Sequence, residues 1–342
     1  MSKQILVIAP SWIGDAVMTQ PLVSILQDHQ NKINKVDVLA PRWVEPIYKN
    51  MRAVRKTFTN PFLHGQLQIC NRAKFAKKIK ETKYDECYVL PNSFKSALIP
   101  FFAKIPVRIG YIGEARYPLL TNYKKLDKIK VHRMVDRYSQ LAPITSSHPN
   151  EKTLIPKLDP QKQNVEEVKK KFLNPFNKTI ICLCPGAEFG KSKMWPFEKY
   201  GDLANRLQKR GFLVIILGSK AEENLGDKIL GISGNNTINL CGKTNLNEAI
   251  SMISLSSVVV TNDSGLMHIA AALNRPTIAI FGSSSPVFTP PLSPNAIVAS
   301  VDLKCSPCFK RICPLKHMHC MKLLSVDYIE NLMTQLGNLE SS

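Results

Sequence analysis

Asp15 is the penultimate residue of the short stretch "PSWIGDA", directly behind the apolar run "QILVIA". At this place a nucleotide-binding fold usually presents glycines to a phosphate. Here Gly14 allows a tight bend, but the residue after it is a carboxylate. A carboxylate at a helix start repels phosphate and is favoured in its ionised form; it can also take a proton from a hydroxyl. Helix cap and general base are the two readings of Asp15.

A second group of residues suits an anion. In "GAEFGKSKMWP", Gly186, Gly190, Lys191 and Lys193 lie close together behind an apolar run. Backbone N–H groups and amines there would stabilise a diphosphate; an ordinary exposed basic loop is the alternative. "LGSKAEEN" offers Glu222 or Glu223 to ribose hydroxyls, or simply as a partner to a helix dipole. In "TNDSGLMHIAAAL", Asp263, Ser264 and Gly265 stand where a strand hands over to an apolar helix. Asp263 or Ser264 can cap that helix, whose free N–H groups can receive phosphate. His268, three residues after Gly265, faces the same helix end.

Four of the nine cysteines, Cys305, Cys308, Cys313 and Cys320, cluster in "CSPCFKRICPLKHMHC" beside His317 and His319. In a reducing compartment such a cluster favours a metal or free thiols over disulfides. C-x2-C is a plausible half of a zinc site, whereas the C-x6-C that follows is not a standard finger spacing. Structural zinc and reduced, packed thiols both remain open. The other five cysteines are expected to be small core residues.

These residues need elements to position them, and strand and helix signals alternate from the start, which predicts parallel sheets covered by helices. "QILVIAP", "KVDVLAP", "YDECYVL" and "VRIGY" read as strands of a first half. "DAVMTQPLVSILQDH" reads as the helix after the first of them, and "RAKFAKKIKETK" as a helix with a solvated basic face. The pattern lapses around "IPKLDPQKQNVEEV", read as a linker. It resumes with "KTIICLC", "FLVIILG", "TINLCG", "VVVTND" and "PTIAIFG" as strands, and with the helix "PFEKYGDLANRLQKRG" between Pro196 and Gly211. A chain of 342 residues divides naturally into two domains. Two Rossmann-like domains are predicted, 1–158 and 159–342, the second carrying the Cys-rich segment 305–320 and a C-terminal helix. In such sheets ligands lie beyond the carboxyl ends of the strands, where the turns carrying Asp15, Lys193, Glu222 and Asp263 fall.

Composition narrows the partners. The chain is 44% hydrophobic and 21% charged, as in soluble globular proteins. It has neither a signal-peptide core nor an apolar run of about 18 residues, so a cytoplasmic location is expected. The net charge is +20, and residues 1–150, with 24 basic and 10 acidic side chains, hold +14 of it. An acidic partner of the first half is implied. Nucleic acid is disfavoured because no recognition helix or RNA-reading motif accompanies the charge. A dinucleotide oxidoreductase is disfavoured because no G-x-G-x-x-G is present.

Taken together, "ILVIAPSWIGDAVM", "YVLPNSFKSALIPFFAKIPVRIGY", "CPGAEFGKSKMWP", "ILGSKAEEN", "VVVTNDSGLMHIAAAL" and "CSPCFKRICPLKHMHC" resemble, in order and over nearly the whole chain, the lipopolysaccharide heptosyltransferases of glycosyltransferase family 9. The heptosyltransferase II branch is the most similar. The resemblance implies an α/β GT-B fold, two Rossmann-like domains with parallel sheets facing a central cleft. ADP-heptose would bind mainly to the second domain, and the reaction would invert the anomeric configuration. It makes Asp15 the base and gives Lys193 the departing phosphates. It assigns donor contacts to Gly186, Lys191, Glu222, Asp263, Ser264, Gly265 and His268, with Glu223 the rival of Glu222. "GKSKMWP" replaces the family's "GPAKRWP" but keeps Lys193 in register. No D-x-D pair appears, so no catalytic metal is required. The implied acceptor is a phosphorylated lipid A-core glycolipid at the inner leaflet of the inner membrane, a partner for the basic half, with Lys95 and Arg108 as contacts. Nucleic acid is not expected as a partner, and the protein would be peripheral to the membrane. A transferase acting on another core sugar, as heptosyltransferase I does, is the alternative.

Overall fold

A computed structural model describes residues 2–29, 32–63, 65–143, 154–173 and 178–336. The chain divides into two compact units, Met1–Leu158 and Asp159–Ser342. In the first, six parallel strands run β1 (Gln4–Ile8), β2 (Lys35–Pro41), β3 (Val54–Asn60), β4 (Glu86–Val89), β5 (Val107–Tyr111) and β6 (Asn122–Lys124). Their order across the sheet is β3-β2-β1-β4-β5-β6. The second unit repeats the plan with β7 (Ile180–Cys184), β8 (Leu213–Ile216), β9 (Thr237–Asn239), β10 (Val258–Asn262), β11 (Thr277–Ile280) and β12 (Ala296–Ala299), ordered β9-β8-β7-β10-β11-β12. Both are the doubly wound order that reverses direction between its first and fourth strands.

Central parallel strands are covered on both faces, so they need apolar side chains at every position rather than at alternate ones. "IICLC" in β7 and all five residues of β10 are buried accordingly. Helices close the layers through single stripes. The helix α5 (Phe197–Lys209) buries Tyr200, Leu203, Ala204 and Leu207, an i, i+3, i+4, i+7 spacing against the second sheet, and turns its charges outward. Pro196 is its N-cap residue, and Gly211 follows it at φ +93°, a conformation that stops the helix at little cost to glycine. After α6 (Glu223–Ile232), the helix α7 (Leu246–Leu255) opens with a reciprocal capping box between Asn245 and Glu248, worth about 1 kcal/mol.

Three expectations need correction, and a fourth is borne out with one addition. The helix predicted after β1 is two, α1 (Ile13–Met18) and α2 (Gln20–Gln27), meeting at Thr19, whose hydroxyl donates back to Ala16 O at 2.6 Å. The predicted linker contains a helix, α4 (Lys162–Val168), which buries only Val168 and so carries no apolar stripe to announce it. The basic helix α3 (Ile69–Lys80) is solvated over most of its surface but buries Arg72, Ala76 and Ile79. Of the five dispersed cysteines, Cys87, Cys182, Cys184 and Cys241 are core residues, whereas Cys70 is exposed. Among the described residues no helix is long and apolar enough to cross a membrane.

Candidate active site

In each unit the leading candidates, Asp15 in the first and Lys193 with Asp263 in the second, follow strands at which the order reverses. In the first, Asp15 follows β1. Trp12, not Asp15, is the N-cap residue of α1, so Asp15 is the third residue of the helix and the cap reading fails. Part of its side chain meets solvent, but the carboxyl is otherwise surrounded by protein, and burial pushes its pKa up to about 6. Among the described residues nothing donates a hydrogen bond to it. Two buried phenols, Tyr48 and Tyr138, lie close enough for the Asp15 charge to add to the burial that raises their own pKa values. Tyr48 is held by Thr19, hydroxyl to hydroxyl at 3.0 Å. The result is a carboxylate poised to accept a proton near neutral pH. Beside it stand two exposed indoles, Trp12 (53%) and Trp43 (47%), with Trp43 Nε1 donating to Ser11 O at 2.9 Å. The charge-based reading of the sequence overlooked them; exposed tryptophan flanking a possible base is the signal that would have found them.

Lys95 and Arg108, also in this unit, differ. The Arg108 guanidinium donates to Leu119 O at 2.7 Å and to Ile105 O, contacts that tie it to its own chain. Lys95 has no such partner among the described residues.

In the second unit the turns after β7 and β10 are bound together by Asn262, the buried last residue of β10. Its Nδ2 donates to Pro185 O at 2.6 Å, and its Oδ1 accepts from Trp195 N and from Tyr200 OH, each at 3.1 Å. The next residue, Asp263, points its carboxylate at Lys193 Nζ, 2.5 Å away, with only 5% of the Asp263 side chain and 15% of the Lys193 side chain exposed. Asp263 is thus paired with the lysine rather than capping the helix. Ser264 is the N-cap residue of α8 (Gly265–Ala272), although its hydroxyl makes no capping bond. His268 lies in the first turns of α8, and burial, aided by the nearby Lys193 charge, lowers its pKa to about 4 against the opposing pull of Asp263. It is a neutral imidazole at physiological pH. Lys191 is exposed on the same short turn as Lys193.

Gly186 and Glu222 interlock. A Cβ at position 186 would lie 1.7 Å from Glu222 Oε1, so only glycine lets that carboxylate rest against the β7 turn. Glu222 Oε2 accepts from Ser219 N at 2.6 Å, while Glu223 turns away to pair with Lys220 at the surface. Of the two glutamates, Glu222 is the one that rests against the turn after β7. Asn262 was missed as an organiser of this site, although an amide ending a valine-rich strand hints at a buried hydrogen-bonding role.

A model of glycosyltransferase family 9 (heptosyltransferase) matches residues 72–319. The chain is 44% identical over 304 residues to the lipopolysaccharide heptosyltransferase 2 of Escherichia coli, covering 86% of this chain and 87% of that one. It is 42% identical over 312 residues to the lipooligosaccharide heptosyltransferase 2 of Haemophilus influenzae, with 86% and 87% covered. The solved structure of E. coli ADP-heptose lps heptosyltransferase II superposes with a TM-score of 0.85 at 36% identity, covering 97% of this chain and 98% of that one. The two doubly wound sheets therefore define a glycosyltransferase of the GT-B class. The chain belongs to glycosyltransferase family 9, the heptosyltransferases.

Proposed function

We propose that this chain moves L-glycero-D-manno-heptose from ADP-heptose to the heptosyl-Kdo-lipid A inner core, with inversion at the anomeric carbon. The observation that carries the reading is the division of chemistry between the two units. One switch point holds a lone carboxylate of raised pKa, and the other holds a paired lysine, a helix start and a glutamate against a glycine turn. Similarity to the heptosyltransferases 2 supports the donor and the acceptor.

The steps follow from the residues. Asp15 accepts the proton of the acceptor hydroxyl as its oxygen bonds to the anomeric carbon. The bond from that carbon to the β-phosphate oxygen breaks, and its electron pair leaves with ADP. Lys193 and the first N–H groups of α8 stabilise the growing phosphate charge. Asp263 holds Lys193 in place, and neutral His268 can donate or accept a hydrogen bond at the sugar without adding charge. Gly186 and Lys191 line the phosphate turn, and Glu222 receives the ribose hydroxyls. Trp12 and Trp43 offer apolar faces to acceptor sugar rings. Lys95 and the basic surface around it attract acceptor phosphates, and a peripheral position at the inner leaflet of the inner membrane follows from that attraction. Arg108 contributes to this field more than to direct contact, since its guanidinium is engaged by carbonyls.

Purified protein is expected to release ADP from ADP-heptose only when the heptosylated lipid acceptor is added, as followed by an ADP-coupled assay, and raised salt should slow that release. Equal ADP release with and without acceptor would overturn the assignment of a transferase.

A further inference from the structure

The Cys-rich segment takes no part in the chemistry above, yet it is built into the turn that carries Lys193. Ser192 N donates to Arg311 O at 3.2 Å and Ser192 Oγ to Lys310 O, and Phe309 N donates to Ser283 O at 2.7 Å. Gly190 is pressed so close that a Cβ would lie 2.5 Å from Arg311 O. The segment itself has little to hold it. From Leu303 to Met318 it has no helix or strand, and its larger apolar side chains, Phe309, Ile312 and Leu315, point to solvent, with Ile312 76% exposed. A long irregular stretch without a core of its own needs a staple.

Its interior supplies one. Cys305, Cys308, Cys313 and Cys320 line a single cavity of about 20 Å³, closed by His317, Ser192 and Ser283. That is room for one ion. All four thiols are free of disulfides. The turn after Cys313 wraps back tightly: Lys316 N donates to Cys313 O at 3.2 Å, and Lys316 and Met318 lie in the left-handed region at φ +58° and +56°. A turn folded this tightly keeps Cys313 at the cavity wall with the other three thiols. Among the described residues no three candidate ligands already stand at metal-bonding geometry, so closure around an ion requires the thiols to turn inward about the cavity they share.

We infer that Cys305, Cys308, Cys313 and Cys320 form a four-thiolate site for one zinc or ferrous ion, and that this ion braces the turn holding Ser192 and Lys193. Four thiolates in a closed tetrahedron select those ions over magnesium or calcium, and a site with no open position is structural. The ion replaces the thiol protons, which pass to solvent, and no electron is transferred.

The test is elemental analysis of the full chain, purified under argon without a histidine tag, with no chelator in the buffers. The expected result is one zinc or iron per chain, retained by His317→Ala and lost from Cys308→Ser and from the double variant Cys308→Ser/Cys313→Ser. Cobalt(II) added to demetallated protein should give the intense visible bands of tetrahedral thiolate coordination. ADP affinity, measured by calorimetry, should fall about 10-fold when the ion is removed. Wild-type protein that carries no metal, shows no cobalt–thiolate bands and has all four thiols open to a thiol reagent would overturn the site. Full metal content with ADP affinity unchanged after removal would overturn its bracing role. Metal content does not depend on which sugar is transferred, so this result stands apart from the assignment of donor and acceptor.

Discussion

Asp15→Asn should lower kcat for heptosyl transfer by about 10³-fold while leaving ADP affinity within a factor of two. The amide keeps the shape of the side chain but cannot accept the acceptor proton, and the proposed nucleotide contacts all belong to the other unit. The wild-type pH profile carries the same signature. With the Asp15 pKa raised to about 6 by burial, kcat/KM should climb with pH to a midpoint near 6, about two units above an ordinary aspartate. Stability should move the opposite way. Between pH 4 and 6 the folded chain holds a proton that the unfolded chain has released, so wild-type protein loses stability as pH rises through that window. The Asn variant carries no such proton. Its Tm should match that of wild type below about pH 4 and exceed it above pH 6. The gain should be roughly 1–3 kcal/mol, the upper figure reduced because part of the side chain is solvated. Turnover within tenfold of wild type would remove Asp15 from the role of base.

Lys193→Met should fail in two separable ways. Without its partner at 2.5 Å, the Asp263 carboxylate is left almost fully buried and uncompensated, a defect of about 3–5 kcal/mol. The departing diphosphate also loses its cation, which should cost about 10²–10³ in kcat. The double variant Lys193→Met/Asp263→Asn separates the two effects. Removing the stranded charge should restore most of the stability by thermal or urea unfolding, yet turnover should stay low. Recovery of both together would show that Lys193 acts only by keeping Asp263 in place.

The sheets were largely readable before any coordinates. Of the twelve strands in the two six-stranded sheets, nine are apolar runs that local pattern alone reveals. The three that escaped, β3, β6 and β12, are all edge strands. An edge strand is half exposed, and β3, "VRKTFTN", mixes charge with apolar residues because Arg55 reaches across to Asp37, at 2.8 Å from Nε to Oδ1, rather than into the core. The break at Thr19 was hidden because the sequence continues to read as one amphipathic helix across it. The site was readable in its residue types but not in its pairings. Asp263 looks like a cap in sequence, and only the fold brings it to a lysine 70 residues away. The choice between Glu222 and Glu223 likewise depends on which one fits against Gly186, a close approach that no local pattern encodes. Burial alone raises the Asp15 pKa, and burial is a product of the whole fold, so the shift could not be inferred from the turn itself.

The central claim, a heptosyl unit delivered to an already heptosylated inner core, is tested most directly by mass spectrometry of the glycolipid product. The protein would be incubated with ADP-heptose and with acceptors truncated at successive core sugars. The account predicts the added mass of one heptose on heptosyl-Kdo-lipid A and none on Kdo-lipid A. Addition to Kdo-lipid A, or no addition to either acceptor by folded, ADP-binding protein, would contradict it.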